Sequence, residues 1–75
     1  MTPRLAALTS IQSHLRRQIA ECDAILADIH EFNRDNPDEK PISGDDCPWL
    51  LDVDRQRREL QTMFETVTNL IANED

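Results

Sequence analysis

Four side chains in this sequence have the chemistry to ligate a metal or to move a proton: His14, Cys22, His30 and Cys47. Tetrahedral zinc sites draw their ligands in close pairs of the Cys-x-x-Cys or His-x-x-x-His kind, and these four form no such pair. The acidic stretch Asp35–Glu39 carries oxygen ligands, yet Pro37 occupies a ligand-spaced position and no glycine follows where a calcium loop must turn. Asp52 and Asp54 are two residues apart, which on a helix sends them to nearly opposite sides, so they cannot work as an acid/base pair. Either histidine would need a cleft and a positioned partner to act as a shuttle, and each reads instead as a residue at the edge of a helical stripe. Gly44 is the sole glycine, so there is no phosphate-cradling loop. The expectation is no catalytic residue, no metal, no cofactor and no enzyme activity.

The cysteines are not a disulfide framework either. In a hairpin turning near Lys40, facing residues have numbers that sum to about 80, which leaves the two sulfurs roughly 16 Å apart along the axis. Nothing at the start resembles a signal peptide and no apolar run is long enough to span a membrane, so a reducing cytoplasm is the expected location.

Other residue types suit recognition of a macromolecule. Seven of the eight basic residues are arginine, and Arg55, Arg57 and Arg58 cluster, with Glu21 and Asp23 brought near Arg57 and Arg58 by the hairpin register. Exposed ion pairs of this sort are individually weak. Trp49 is the only tryptophan and stands beside Leu50 and Leu51. Three consecutive large apolar residues cannot share one helix face, so at least one looks elsewhere. Tryptophan and arginine are favoured in interface hot spots. The candidate partner-binding residues are therefore Trp49, Leu51, Arg55, Arg58, Asp45 and Asp46, at the corner where the second helix begins.

The elements that position these residues follow from hydrophobic periodicity. Thr2-Pro3 is a helix start, a hydroxyl cap followed by a proline whose missing N–H costs nothing in the first turn. With Leu8 as heptad position a, Leu15, Cys22 and Ile29 repeat it. Ile11, Gln18, Ile25 and Phe32 fall at d, and Leu5, Gln12, Ile19 and Leu26 at e, a stripe wider than one helical neighbour requires. Asn33 to Pro37 ends the pattern, since the residue before proline is pushed out of the α region. Residues 34–45, with Pro37, Pro41 and Gly44, form an irregular connection longer than most helix–helix loops. Asp45 and Asp46 offer carboxylates to cap a second helix opening at Cys47-Pro48-Trp49. Its stripe starts with Trp49 and Leu50 and continues through Val53, Leu60, Met63, Phe64, Val67, Leu70 and Ile71. The expected fold is all-α, an antiparallel hairpin of two long helices in a single domain over residues 1–75.

With 75 residues, a lone core supplies no more than about 3–5 kcal/mol, and such chains lean on a disulfide, a metal or a partner. The first two being absent, the partner remains. Pairing two wide stripes covers one flank of each and leaves the other wet, and two stacked hairpins would bury both in a four-helix bundle. A homodimer is thus expected, with an interface and core drawn from Leu8, Ile11, Leu15, Ile19, Cys22, Ile25, Leu26, Ile29, Leu60, Met63, Phe64, Val67, Leu70 and Ile71. A different protein filling the same groove is the competing arrangement. Gln18 and Gln56 interrupt both stripes, either as wet layers or as amides that fix register.

A net charge of −7 opposes duplex binding, where phosphate contacts supply most of the affinity, and nucleic acid is not the expected partner. In architecture the chain resembles three groups of small acidic hairpins: phage-encoded inhibitors that bind and disable a host protein, hairpin co-chaperones of type III secretion that complete a partner's groove, and Rop-like dimers that bind paired RNA loops. The likeness is one of plan, and plan does not select a function. The favoured expectation is a protein-binding regulator or inhibitor, phage- or bacterium-encoded, that blocks a host or cognate target as a homodimer. The co-chaperone and the RNA-binding dimer are the alternatives.

Overall fold

In the computed structural model, which describes residues 2–74, the chain is an all-α hairpin. Helix α1 spans Pro3–Asp35 and helix α2 spans Trp49–Ala72. The described residues form a rod with principal extents of 55 × 19 × 14 Å, as two side-by-side helices require at 1.5 Å per residue.

The first helix starts as its sequence dictates. The Thr2 hydroxyl accepts the Leu5 N–H at 3.1 Å, and Pro3 occupies the first turn. The helix runs to Asp35, slightly past the expected boundary. Asn36 then stops it, its backbone N–H and side-chain amide both donating to the Phe32 carbonyl at 3.0 Å.

The second helix starts differently from expectation. No side chain caps it, because Pro48 holds the cap position in helical geometry. Asp46 is taken instead by Lys40 at 2.8 Å, and the lead-in is a turn in which the Asp46 and Cys47 N–H groups donate to the Ser43 carbonyl. The carboxylates of Asp45 and Asp46 are near the helix start but not on its free N–H groups. The connection is ordered by one residue above all. Asn33 brackets Ile42, its amide nitrogen donating to the Ile42 carbonyl at 3.0 Å and its oxygen accepting the Ile42 N–H at 2.8 Å.

Between the helices runs one seam. On α1 it is the alternating three–four series Leu5, Leu8, Gln12, Leu15, Ile19, Cys22, Leu26, Ile29 and Asn33, all buried or half-buried. On α2 the matching series is Leu50, Val53, Arg57, Leu60, Phe64, Val67 and Ile71, continued by Glu74 just past the helix end. Such a series is the signature of knobs-into-holes packing between two helices. Its centre is Leu15, Cys22 and Leu60, packed about by Ile19, Val53, Phe64 and Val67. The core is thin: among the described residues only Leu8, Leu15, Cys22 and Leu60 are buried, and no large side chain is wholly enclosed.

Candidate interaction flank

Two flanks border the seam, and they differ. One is tied across by polar contacts. Arg57 donates to Asp23 at 2.9 Å, Gln12 donates to the Thr68 hydroxyl at 3.0 Å, and the Arg16 guanidinium stands over the Phe64 ring at 5.6 Å. The Arg57 guanidinium is held in its charged form, its pKa raised first by the hydrogen bond to Asp23 and then by that carboxylate's charge. These numbers sum to 80 in each pair, so the register is uniform along the rod. The Asp23–Arg57 approach read from the sequence is present. Arg58 instead pairs with Asp54, one turn before it, at 3.0 Å.

The other flank has one polar tie among the described residues, at its terminal end, where Arg4 Nε donates to the Glu74 carboxylate at 2.6 Å, and is otherwise largely apolar. Every seventh residue of α1 points there: Arg4 at the terminal end, then Ile11, Gln18, Ile25 and Phe32. On α2 the residues at the same spacing are Trp49, Gln56, Met63 and Leu70. Opposing members sum to 81, so in antiparallel pairing they stand level with one another: Ile11 by Leu70, Gln18 by Met63, Ile25 by Gln56, Phe32 by Trp49. Ile11, Ile25, Trp49, Met63 and Leu70 are all exposed, Trp49 and Met63 about half so at 49% and 51%. Between the Ile11–Leu70 and Phe32–Trp49 levels, six of the eight positions are apolar and form one strip along the rod.

The expected interface set therefore divides. Leu8, Leu15, Ile19, Cys22, Leu26, Ile29, Leu60, Phe64, Val67 and Ile71 lie in the seam of the single chain. Ile11, Ile25, Met63 and Leu70 lie outside it, on the apolar flank. Gln18 and Gln56 are exposed on that flank too, not enclosed in the hairpin.

The expected partner corner divides as well. Trp49 and Leu51 are two positions apart on α2 and point to nearly opposite sides. Trp49 closes the loop end of the apolar flank. Leu51, at 71% exposed the most open large apolar residue among those described, stands on the outer face with Arg55 and Arg58, four and seven positions on. A Cβ placed on Gly44 would lie 3.9 Å from the Leu51 side chain, so the connection brushes this outer face. Arg55 is engaged with Asp52 at 3.0 Å, and Asp45 is exposed beside the turn.

His14 and His30 are both exposed and roughly 24 Å apart along α1 at its rise per residue. Both cysteines are free, Cys22 in the seam and Cys47 at the turn. Among the described residues, no three His, Cys, Asp or Glu side chains gather as metal ligands would. No helix among them is long and apolar enough to cross a membrane.

The banks of the apolar flank are charged. One residue further out on α1 come His14, Glu21 and Asp28, and on α2 Asp52, Glu59 and Thr66, again at sevenfold spacing. In the loop-proximal half both banks are thus acidic. The arginines Arg16, Arg17, Arg55, Arg57 and Arg58 lie on the polar flank or the back of the rod, by the same periodicity. Comparison with known proteins found no matching family model, no matching curated protein and no matching solved structure.

Proposed function

We propose that this chain is a small non-enzymatic regulator that acts by binding another protein chain through its apolar flank. The observation that supports the reading is the asymmetry of the hairpin. One flank is cross-tied along its length by Asp23–Arg57 and Gln12–Thr68, while the other, tied only at its terminal end by Arg4–Glu74 among the described residues, lines up the exposed Ile11, Ile25, Trp49, Met63 and Leu70 with the half-buried Phe32. An isolated apolar side chain on a surface is ordinary, but a contiguous strip rimmed by polar residues marks an interaction surface. The thinness of the rod is in keeping with that role. A folded monomer of 8.7 kDa exposes roughly 4,700 Å² by the usual scaling with mass. This chain exposes 5680 Å², roughly 950 Å² more, because it is a thin rod of 55 × 19 × 14 Å, and covering one side of the rod with a partner would bring it toward the compactness usual for its mass.

The same excess also supports a second reading, in which the cover is another copy of the chain. Two hairpins stacked flank to flank would make a four-helix bundle and leave Leu51, Arg55, Arg58, Asp45 and Asp46 free to meet a target.

The test places a carboxylate in the strip. Ile25→Glu with Met63→Glu changes two exposed residues, so the hairpin keeps its helicity by circular dichroism. Under the proposal the double variant loses association, measured by sedimentation for self-association and by pull-down for other chains. Undiminished association with intact helicity would remove the flank from consideration.

A further inference from the structure

Resting on the reading that the flank is the working surface, we infer that its occupant is a single amphipathic helix with a narrow apolar stripe and basic residues on both sides of it. The geometry is that of a groove. Ile11, Gln18, Ile25 and Phe32 line one wall, and Leu70, Met63, Gln56 and Trp49 the other. Two helices packed about 8–10 Å apart leave between them a channel that one further helix fills, apolar face down.

Charge selects among the chains that could lie there. Glu21 and Asp28 stand along one bank, Glu59 and Asp52 along the other, at matching levels. No lysine or arginine stands on either bank at those levels. Of the four, Asp52 is engaged, by Arg55 at 3.0 Å in an exposed pair. Glu21, Asp28 and Glu59 have no ion-pair partner among the described residues. A helix with lysine or arginine either side of its stripe meets all four carboxylates at once, with seven-residue spacing on both partners.

A second copy meets them badly. Stacked with the loops at the same end, Glu21 and Asp28 of one copy face Glu59 and Asp52 of the other, carboxylate to carboxylate. Stacked with the loops at opposite ends, Glu21 and Glu59 sit on the two-fold axis and each faces its own copy. Like charges so placed disfavour association, and two chains of net charge −7 repel at longer range as well. Trp49 supplies a large anchor at the loop end, where the acidic banks lie, and large aromatic side chains of this kind carry much of the energy of such grooves.

The test uses three synthetic helical peptides of equal length. The first has a leucine stripe flanked by lysine and arginine, the second has the same stripe flanked by glutamate, and the third has the first peptide's composition scrambled. Trp49 is the only tryptophan, so its emission in the full chain reports occupancy of the groove. The expected result is a saturable blue shift with the basic-flanked peptide at one to one. The glutamate-flanked peptide should bind at least about tenfold more weakly, and the affinity for the basic one should fall by about tenfold between low and high salt. Glu21→Lys, Asp28→Lys, Asp52→Lys and Glu59→Lys combined should reverse the preference. All four positions are exposed, so folding is preserved.

Equal binding of the scrambled peptide would reduce the effect to bulk charge and overturn the inference. Equal binding of the first two peptides would overturn the role of the banks while leaving the apolar flank in place. A mass of twice the monomer that grows firmer with added salt would identify the occupant as a second copy, which also overturns it. If none of the peptides moves Trp49 and the mass stays monomeric, the flank reading falls together with the inference.

Discussion

Leu60 and Met63 are nearly one turn apart on α2, and truncating each to alanine separates seam from flank. Leu60 is 6% exposed and lies at the centre of the core with Leu15 and Cys22. Leu60→Ala removes most of a leucine's transfer free energy and opens a space the rigid helices cannot close, which costs about 2–5 kcal/mol. Met63 is 51% exposed, so about half its transfer term was never realised. Water fills the place it leaves, and Met63→Ala should cost about 1 kcal/mol or less. A hairpin of this size has about 3–5 kcal/mol in all. Leu60→Ala should therefore leave a chain that is largely unfolded at physiological temperature, whereas Met63→Ala should lower the melting temperature by only a few degrees. The assay is urea and thermal unfolding followed by helical circular dichroism, repeated over a hundredfold range of concentration. Equal costs for the two substitutions in a monomeric chain would refute the seam assigned here. A cost for Met63→Ala that grows with concentration would show the flank covered by a second copy.

Other perturbations follow from single contacts. Asn33→Ala removes both hydrogen bonds to Ile42, at a cost of about 1–2 kcal/mol, and amide exchange at Ile42 should quicken by roughly 5- to 30-fold if the bracket alone holds the connection. Gly44 has no positive φ and an added Cβ meets nothing closer than ordinary contact. Gly44→Ala should therefore stabilise the chain by about 0.4–1 kcal/mol through the unfolded state, and a loss in the urea midpoint would contradict this. Lys40 has its pKa raised, chiefly by its hydrogen bond to Asp46. A raised folded value means that its contribution is complete below the unfolded value of about 10.4 and is lost as pH climbs through the folded one. Stability should therefore not change on its account between pH 6 and 9, and a difference between the chain and Lys40→Met that appears within that window would contradict the assignment.

Much of the hairpin is legible in the residues. Thr2-Pro3 caps α1 as such a pair should, Pro37 and its neighbours end it, and the register that brings Asp23 to Arg57 follows from where the chain turns. Helix α2 opens at Trp49 as the residues indicate, but its cap is not legible in them, for a physical reason. Asp45 and Asp46 are competent caps, but Lys40 reaches Asp46 and Pro48 takes the cap position in helical geometry, a choice made by the connection and not by the pair of acids. The division of the wide stripe into seam and flank was only half visible. An unbroken three–four series from Leu5 to Asn33 already singles out one neighbour, and Ile11, Gln18, Ile25 and Phe32 repeat at seven alone. The polarity of the opposite flank depends on which residues of α2 come level with which of α1. Periodicity on one helix does not contain that information. The same blindness grouped Trp49 with Leu51, which are neighbours in sequence and stand on opposite sides of the helix.

The cross-tied flank has a consequence for assembly. Growth by repeated addition needs two adhesive faces, so that each unit added offers a fresh one to the next. Here Arg57, Asp23, Gln12 and Thr68 occupy the side from which a further layer would have to be laid, with Arg16 folded over Phe64. A layer accepted on the apolar flank is therefore the last layer. On the proposed reading, a helix laid on the apolar flank would find the opposite flank already tied, and the hairpin would end that stack as a terminal cap.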